Sequence, residues 1–361
     1  MMFLDSHHQP SRFLSMRRFL TTIALTFVSC CFAMHSMAQE PLSVDRSARS
    51  NPAPDESREQ INRNVSTEAS DQAKQRSGRQ RSGGRPGAAV QPNLDNVIVH
   101  REIPYVSIPH PRQHLDLYVP KDAAGPLPLV VWIHGGAWYR GDKENCLPMQ
   151  VNFSAGEFAI ASIGYRLSGD ATFPAQIEDC KAAIRFLRKN AQRFGLAPDR
   201  FGVWGSSAGG HLASLVGTSG GMTKWDVGEN LDYSSKVQAV CNFYGPADFV
   251  SFASKRDATA GETENAPESR LFGGTIETNR EIAIAASPTT HITSDVPPFL
   301  IVHGDQDRKV PLKQSEILLD KLQSAGGNGR LVVLQGASHG GPRFAESEVI
   351  QQVKVFFQEN L

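Results

Sequence analysis

Residues Leu129-Val130-Val131-Trp132-Ile133 form an unbroken apolar run. A strand with one wet face alternates polar and apolar side chains. An unbroken run must be buried on both faces, the condition of a strand inside a parallel sheet covered by helices. Phe158 to Ile163 reads the same way, and Val237 to Phe243 and Phe299 to His303 also read as strands. Val97-Ile98-Val99, His114 to Val119, Phe201 to Trp204 and Arg330 to Leu334 read as further strands. Between them lie segments of helical periodicity: Gln176 to Phe194, Ala208 to Val216, Leu312 to Leu322 and Glu346 to Phe357. Apolar strands alternating with amphipathic helices imply an α/β fold, with a mostly parallel central sheet and helices on both faces. Thr218 to Thr290 holds one clear strand. Its polar, Gly-rich part, Pro246 to Ala286, reads as a small insertion over the carboxyl end of the sheet, where such folds bind ligands.

This pattern starts near residue 96, so the expected organisation has three parts. Residues 1–38 read as an export signal: Met16-Arg17-Arg18 is the positive region, Phe19 to Ala33 the apolar stretch, and Ser36-Met37-Ala38 the small-x-small cleavage site. The apolar stretch falls short of the ~20 residues that a spanning helix needs, so no stable membrane insertion is expected after cleavage. Residues 39–95 are rich in Ser, Arg, Gln, Asn, Gly and Pro and read as a disordered tether. Lys74, Arg76, Arg79, Arg81 and Arg85 make part of it basic. Residues 96–361 are the folded domain. The expected location is periplasmic or secreted. With 37 basic and 37 acidic side chains, the chain lacks the basic excess of a nucleic-acid binder, and no such partner is expected. Cys146, Cys180 and Cys241 lack metal-ligand spacing and read as small core residues, with one disulfide as the alternative. The sequence leaves the oligomeric state open.

Gly205-Ser206-Ser207-Ala208-Gly209 matches G-x-S-x-G between a strand and a helix. The spacing has a steric cause. A serine on a sharp strand-to-helix turn stands clear of the sheet only if the residues two places either side are small. Ser207 is therefore the expected nucleophile. Upstream, His134-Gly135-Gly136-Ala137-Trp138 follows the apolar run of Leu129 to Ile133. Acyl transfer develops an oxyanion that needs backbone N–H donors already aimed at it, and glycine lets the backbone approach. The expected donors are the amides of Gly135 or Gly136 and of Ala208. His134 is expected to brace the loop.

This fold runs its triad in the order Ser, acid, His. His303-Gly304-Asp305-Gln306-Asp307 leaves a strand and offers two acids, of which Asp307 is chosen and Asp305 is the alternative. Ser338-His339-Gly340-Gly341 follows the next strand, making His339 the expected base. His211 and His291 fall out of order and read as structural. Trp138, Tyr139, Tyr165, Phe173 and Phe243 are candidates for a pocket or for core. Trp138 and Tyr165 are put forward as substrate-binding.

Together these stretches, with Tyr165-Arg166-Leu167, Phe173-Pro174-Ala175-Gln176 and Pro297-Pro298-Phe299-Leu300, resemble the lipase/esterase branch of the α/β-hydrolases. The resemblance is nearest to the bifunctional feruloyl/acetyl xylan esterases, the BD-FAE-like carbohydrate esterases. It spans residues 97–361. It implies the α/β-hydrolase fold and favours Asp307 over Asp305, because the Val310-Pro311 pair follows. Ala137 stands where many lipases carry a third glycine.

The resulting expectation is a serine carboxylic-ester hydrolase with a Ser-Asp-His triad and no metal or other cofactor. Its expected substrates are small-molecule or polysaccharide esters, acetyl or feruloyl esters of polysaccharide foremost. A serine peptidase and an arylformamidase are alternatives on the same fold. A non-catalytic binding module is the alternative of another class, and one that usually lacks a triad member.

Overall fold

The computed structural model describes residues 94–153, 156–253 and 265–361. The expected export signal and the tether up to residue 93, with its basic stretch, lie outside the described residues. Among those described, no helix is long and apolar enough to cross a membrane.

Eight strands form one sheet: β1 (Val97–Pro104), β2 (His114–Pro120), β3 (Leu127–Ile133), β4 (Ala159–Ile163), β5 (Leu196–Ser206), β6 (Ala239–Phe243), β7 (Phe299–Gly304) and β8 (Gly329–Leu334). Their spatial order is β1-β2-β4-β3-β5-β6-β7-β8. Pairing is antiparallel at β1–β2 and β2–β4 and parallel from β4 to β8. The helices that matter for the site are α1 (Ala175–Lys189), α2 (Ala208–Thr218), α3 (Pro267–Phe272), α4 (Arg280–Ala286), α5 (Lys313–Ser324) and α6 (Ser347–Asn360).

Every residue of β3 is buried, so both faces of the strand are covered. Leu129, Val131 and Ile133 enter one core with Ile184, Leu212 and Leu318. Val130 and Trp132 enter a second core with Trp204, Phe153, Phe357 and Val353. Trp132 pairs in register with Trp204 across β3 and β5, and their rings meet edge to face at 5.4 Å. Each such side chain taken from water contributes roughly 1.5–3 kcal/mol. The free thiols of Cys146, Cys180 and Cys241 are all buried in this packing.

The structure corrects two boundaries. The expected helix from Gln176 to Phe194 is broken at Asn190, whose amide nitrogen Nδ2 donates to the Phe186 carbonyl at 2.8 Å. A short turn, Ala191–Phe194, follows and closes on Gly195 at φ +67°. β5 begins five residues before Phe201, because Leu196 pairs with Leu127 before Pro198-Asp199-Arg200 turn out to solvent. Of the insertion, residues 254–264 lie outside the described residues, and the rest packs more fully than its polar, Gly-rich composition suggests. Phe249, Phe252, Leu271, Phe272, Ile276, Ala283 and Ala286 all join the larger core. Phe249 packs on Trp138 at 5.7 Å and on Phe272 at 5.0 Å, which seats the insertion against the loop leaving β3.

Candidate active site

Ser207 joins β5 to α2 with φ +54° and ψ −119°, a region that L side chains rarely adopt. Holding it there costs of order 1–3 kcal/mol, supplied by the surrounding packing. The Ser207 amide donates to the Phe243 carbonyl at 2.8 Å, tying the turn to β6. The small residues of the pentapeptide are required by contact. A Cβ on Gly209 would lie 2.0 Å from the Ile133 carbonyl oxygen, and one on Gly205 would lie 2.2 Å from the Gly209 oxygen. The turn is thus wedged against the end of β3, and its serine stands out from the sheet.

His339 and Asp307 reach this serine from the loops after β8 and β7. His339 Nε2 lies 2.8 Å from Ser207 Oγ. His339 Nδ1 lies 2.6 Å from Asp307 Oδ2. Asp307 Oδ1 accepts the amides of Lys309 at 2.8 Å and Val310 at 3.0 Å. Burial alone would raise the Asp307 carboxyl. The hydrogen bonds from His303, His339 and the Val310 amide outweigh it and hold Asp307 well below the usual carboxylate range. Its charge therefore stabilises the fold above the ordinary carboxylate range and is lost only as pH falls through the lower folded value. Asp305 goes elsewhere: its Oδ1 accepts the Gly336 amide at 2.6 Å, fastening the turn after β8. Of the two acids, Asp307 is the one brought to His339. Ser207, His339 and Asp307 thus form one hydrogen-bonded line, the arrangement in which an imidazole can take a hydroxyl proton while a carboxylate fixes its tautomer.

The loop after β3 closes the other side. A Cβ on Gly135 would lie 2.8 Å from the Ser206 carbonyl oxygen and 3.4 Å from Ser207 Cβ, so only glycine brings this backbone so close to the serine. Among the described residues, no backbone carbonyl accepts from the amides of Gly135, Gly136 or Ala208. Gly136 has φ +120°, and its carbonyl accepts the amides of Tyr139 and Arg140. Ala137 follows at φ +53°. Its left-handed backbone is one that glycine adopts freely, which accounts for a third glycine fitting the same place.

Two expected substrate contacts are corrected here. Tyr165 is fully buried, its hydroxyl donating to the His134 carbonyl at 3.0 Å and its ring stacked on the His134 ring at 4.4 Å. Trp138 is 4% exposed, and its Nε1 donates to His211 Nδ1 at 3.1 Å. Both support the loop from inside, because their polar atoms are already satisfied within the fold. Tyr139, by contrast, is 37% exposed.

His134 braces the loop as expected, its Nδ1 lying 2.7 Å from the Gly135 carbonyl oxygen. His211 links the Trp138 indole to the Ala286 carbonyl, 2.8 Å from its Nε2. Burial pushes both imidazoles down to about 4, against partial opposition from those carbonyls. Both are neutral in the fold near pH 7 and would bind protons sooner when unfolded, with an ordinary value near ~6.5. Stability is therefore expected to fall as pH drops from about 6.5 to about 4, by about 3 kcal/mol for each histidine. Urea unfolding across that window should show an uptake of about two protons. A flat profile would contradict the buried neutral state.

Two residues to which the sequence assigned no role complete the site. His303 donates from Nε2 to the Val310 carbonyl at 2.9 Å, and the same atom lies 3.3 Å from Asp307 Oδ2. Its Nδ1 lies 2.6 Å from Ser315 Oγ. Tyr244, at φ +45° just past β6, sets its ring edge-on to the His339 ring at 4.8 Å. Burial lifts the Tyr244 phenol to about 12, although the Ser206 side chain opposes this, so it remains protonated. The first element of the acid motif flagged His303. Nothing in the sequence flagged Tyr244 beyond its place at a strand end. Among the described residues, no group of three or more His, Cys, Asp or Glu side chains is placed to hold a metal.

Comparison with known proteins agrees with this architecture. A probable carboxylic ester hydrolase, LipM of Mycobacterium tuberculosis, is 32% identical over 214 residues, covering 58% of this chain and 48% of its own length. The chain spans about half the length of the curated relatives it matches. Among solved structures, a truncated carbohydrate esterase from gut microbiota is 28% identical with TM-score 0.67, covering 74% of this chain and 98% of that one. A bifunctional GH43-CE protein of Bacteroides eggerthii is 33% identical with TM-score 0.67, covering 72% of this chain and 35% of that one. The fold is that of the α/β-hydrolases. The BD-FAE family model matches residues 115–322, from β2 through most of α5, and the chain belongs to that family.

Proposed function

We propose that this chain is a serine carboxylic-ester hydrolase that removes short acyl groups, foremost acetyl or feruloyl, from polysaccharide or related esters. The observation that carries the reading is the line Ser207 Oγ, His339, Asp307 at 2.8 and 2.6 Å. His339 Nε2 takes the Ser207 proton as Oγ attacks the ester carbonyl carbon. The carbonyl π pair moves onto oxygen, against the amides of Gly135 or Gly136 and Ala208. Each such donor is typically worth about 3 kcal/mol of barrier. His339 returns the proton to the departing alkoxide, the C–O bond breaks, and the acyl group stays on Ser207. Water then attacks that acyl-serine with His339 again as base, releasing the acid and restoring the hydroxyl. Asp307 holds Nδ1 protonated throughout and stabilises the imidazolium. The carbohydrate-esterase neighbours lend support to a polysaccharide ester. The expected export signal at residues 1–38 supports a periplasmic or secreted enzyme meeting polymeric substrates.

Acetyl-xylan, feruloyl esters, short aryl esters, an arylformamide and an aminoacyl amide, assayed side by side with labelling by a fluorophosphonate probe, test the reading. Ester turnover with labelling of Ser207 is expected. Faster turnover of the amide or the formamide would move the chain to the peptidase or arylformamidase alternative. Absence of both turnover and labelling would leave a binding module.

A further inference from the structure

The loop after β3 and α3 of the insertion carry two arginines that the ester chemistry does not use. The Arg140 and Arg270 guanidinium carbons lie 5.5 and 5.1 Å from the centroid of the same ring, that of Tyr139. All three residues are exposed. They come from different parts of the fold. Tyr139 and Arg140 end the loop that begins at Gly135 beside Ser207, and both of their amides donate to the Gly136 carbonyl. Arg270 lies on α3 of the insertion. That helix is fixed by Phe272 on Phe249, by Phe249 on Trp138, and by its Leu271 carbonyl, which accepts the Phe173 amide at 2.8 Å.

Neither guanidinium has a carboxylate partner or donates a hydrogen bond among the described residues. Exposed arginines usually stand among charges of both signs. Here two cations share one aromatic ring, and among the described residues no carboxylate pairs with either of them. A guanidinium offers five donors in a planar fork that fits a carboxylate or sulfate bidentately, and an aromatic ring fixes the plane of that fork. The pair is held open for an anion from outside.

Resting on the ester-hydrolase reading above, we propose that Arg140 and Arg270, set by Tyr139, form an anion subsite beside Ser207. It takes an oxyanion substituent, carboxylate or sulfate, on the sugar unit that bears or adjoins the ester. The preferred substrate is then an acylated acidic polysaccharide, with the neutral chain as the poorer one. Attraction between the subsite and a polyanion also raises the local substrate concentration in a manner that salt screens.

The test is equilibrium binding of three deacylated oligosaccharides of one length, neutral, uronate-bearing and sulfated, to the Ser207→Ala protein. Because nothing is hydrolysed, the result stands whether or not the esterase reading does. About tenfold tighter binding of an anionic oligosaccharide than of the neutral one is expected at low salt, with the difference shrinking by ~0.5 M salt. The arm that binds more tightly tells carboxylate from sulfate. The Arg140→Gln/Arg270→Gln protein should lose the preference. The Arg140→Lys/Arg270→Lys protein, which keeps the charge without the fork, should retain part of it. Equal binding of all three sugars, or a preference that survives the double glutamine variant, overturns the subsite. Parallel assays of the acylated sugars with the unmodified enzyme separate the two readings: no turnover of any ester overturns the hydrolase while leaving the binding result in place.

Discussion

Ser207→Ala is expected to reduce kcat on a short-chain aryl ester by a factor on the order of 10⁵ to 10⁶, with little change in KM or thermal midpoint. The size follows from what the hydroxyl does alone. Among the described residues, Ser207 Oγ is the hydroxyl hydrogen-bonded to His339 Nε2, so its removal ends the covalent route. The residual rate would come from water activated by His339 and from the amides of Gly135, Gly136 and Ala208. The small effect on stability follows from geometry. The strained φ of +54° is imposed by packing around Gly205 and Gly209 and by the Ser207 amide on Phe243, none of which involves Oγ. Alanine keeps that backbone and loses one side-chain hydrogen bond, to His339 Nε2 at 2.8 Å. Intact kcat in a folded variant would remove Ser207 from the mechanism.

How much of this was legible in the sequence depended on what each residue answers to. β3 was readable because burial on both faces excludes polar side chains from the strand itself. Gly205 and Gly209 were readable because a steric demand falls on single positions at a fixed distance from the serine. His339 was readable through chain order. The choice between Asp305 and Asp307 was not a matter of composition. Both leave β7, and only the turn formed by the Lys309 and Val310 amides aims Asp307 inward while Asp305 ties down Gly336. Trp138 and Tyr165 misled for a related reason. An aromatic beside a glycine loop has the same letters whether it faces ligand or core, and here the polar tips found partners in His211 and the His134 carbonyl. The insertion hid its packing because apolar residues of short helices, such as Phe249, Phe252, Leu271 and Phe272, are spread through polar sequence without a sustained period. Tyr244 was invisible because its role rests on tertiary position: β6 delivers it under the His339 ring.

The same geometry sets the second large effect. Asp307→Asn is expected to lower kcat by about 10⁴-fold with Ser207 and His339 both in place. The asparagine oxygen can still accept the Lys309 and Val310 amides, so the loop should keep its shape. The atom then facing His339 Nδ1 is an NH₂ group, a donor where the carboxylate accepted at 2.6 Å. His339 must answer with a lone pair on Nδ1, which puts its proton on Nε2, towards Ser207 Oγ. In that tautomer the imidazole cannot take the serine proton, and the imidazolium of the transition state has also lost its counter-charge. The loss should therefore fall on kcat, with KM little moved. Asp305→Asn is the matched control. Its oxygen accepts the Gly336 amide as either acid or amide, so kcat should stay within about twofold of the parent, since a neutral acceptor replaces a charged one far from the reacting atoms. If Asp305→Asn proved the damaging change and Asp307→Asn the mild one, the acid would be assigned to the wrong end of the His303 to Asp307 loop.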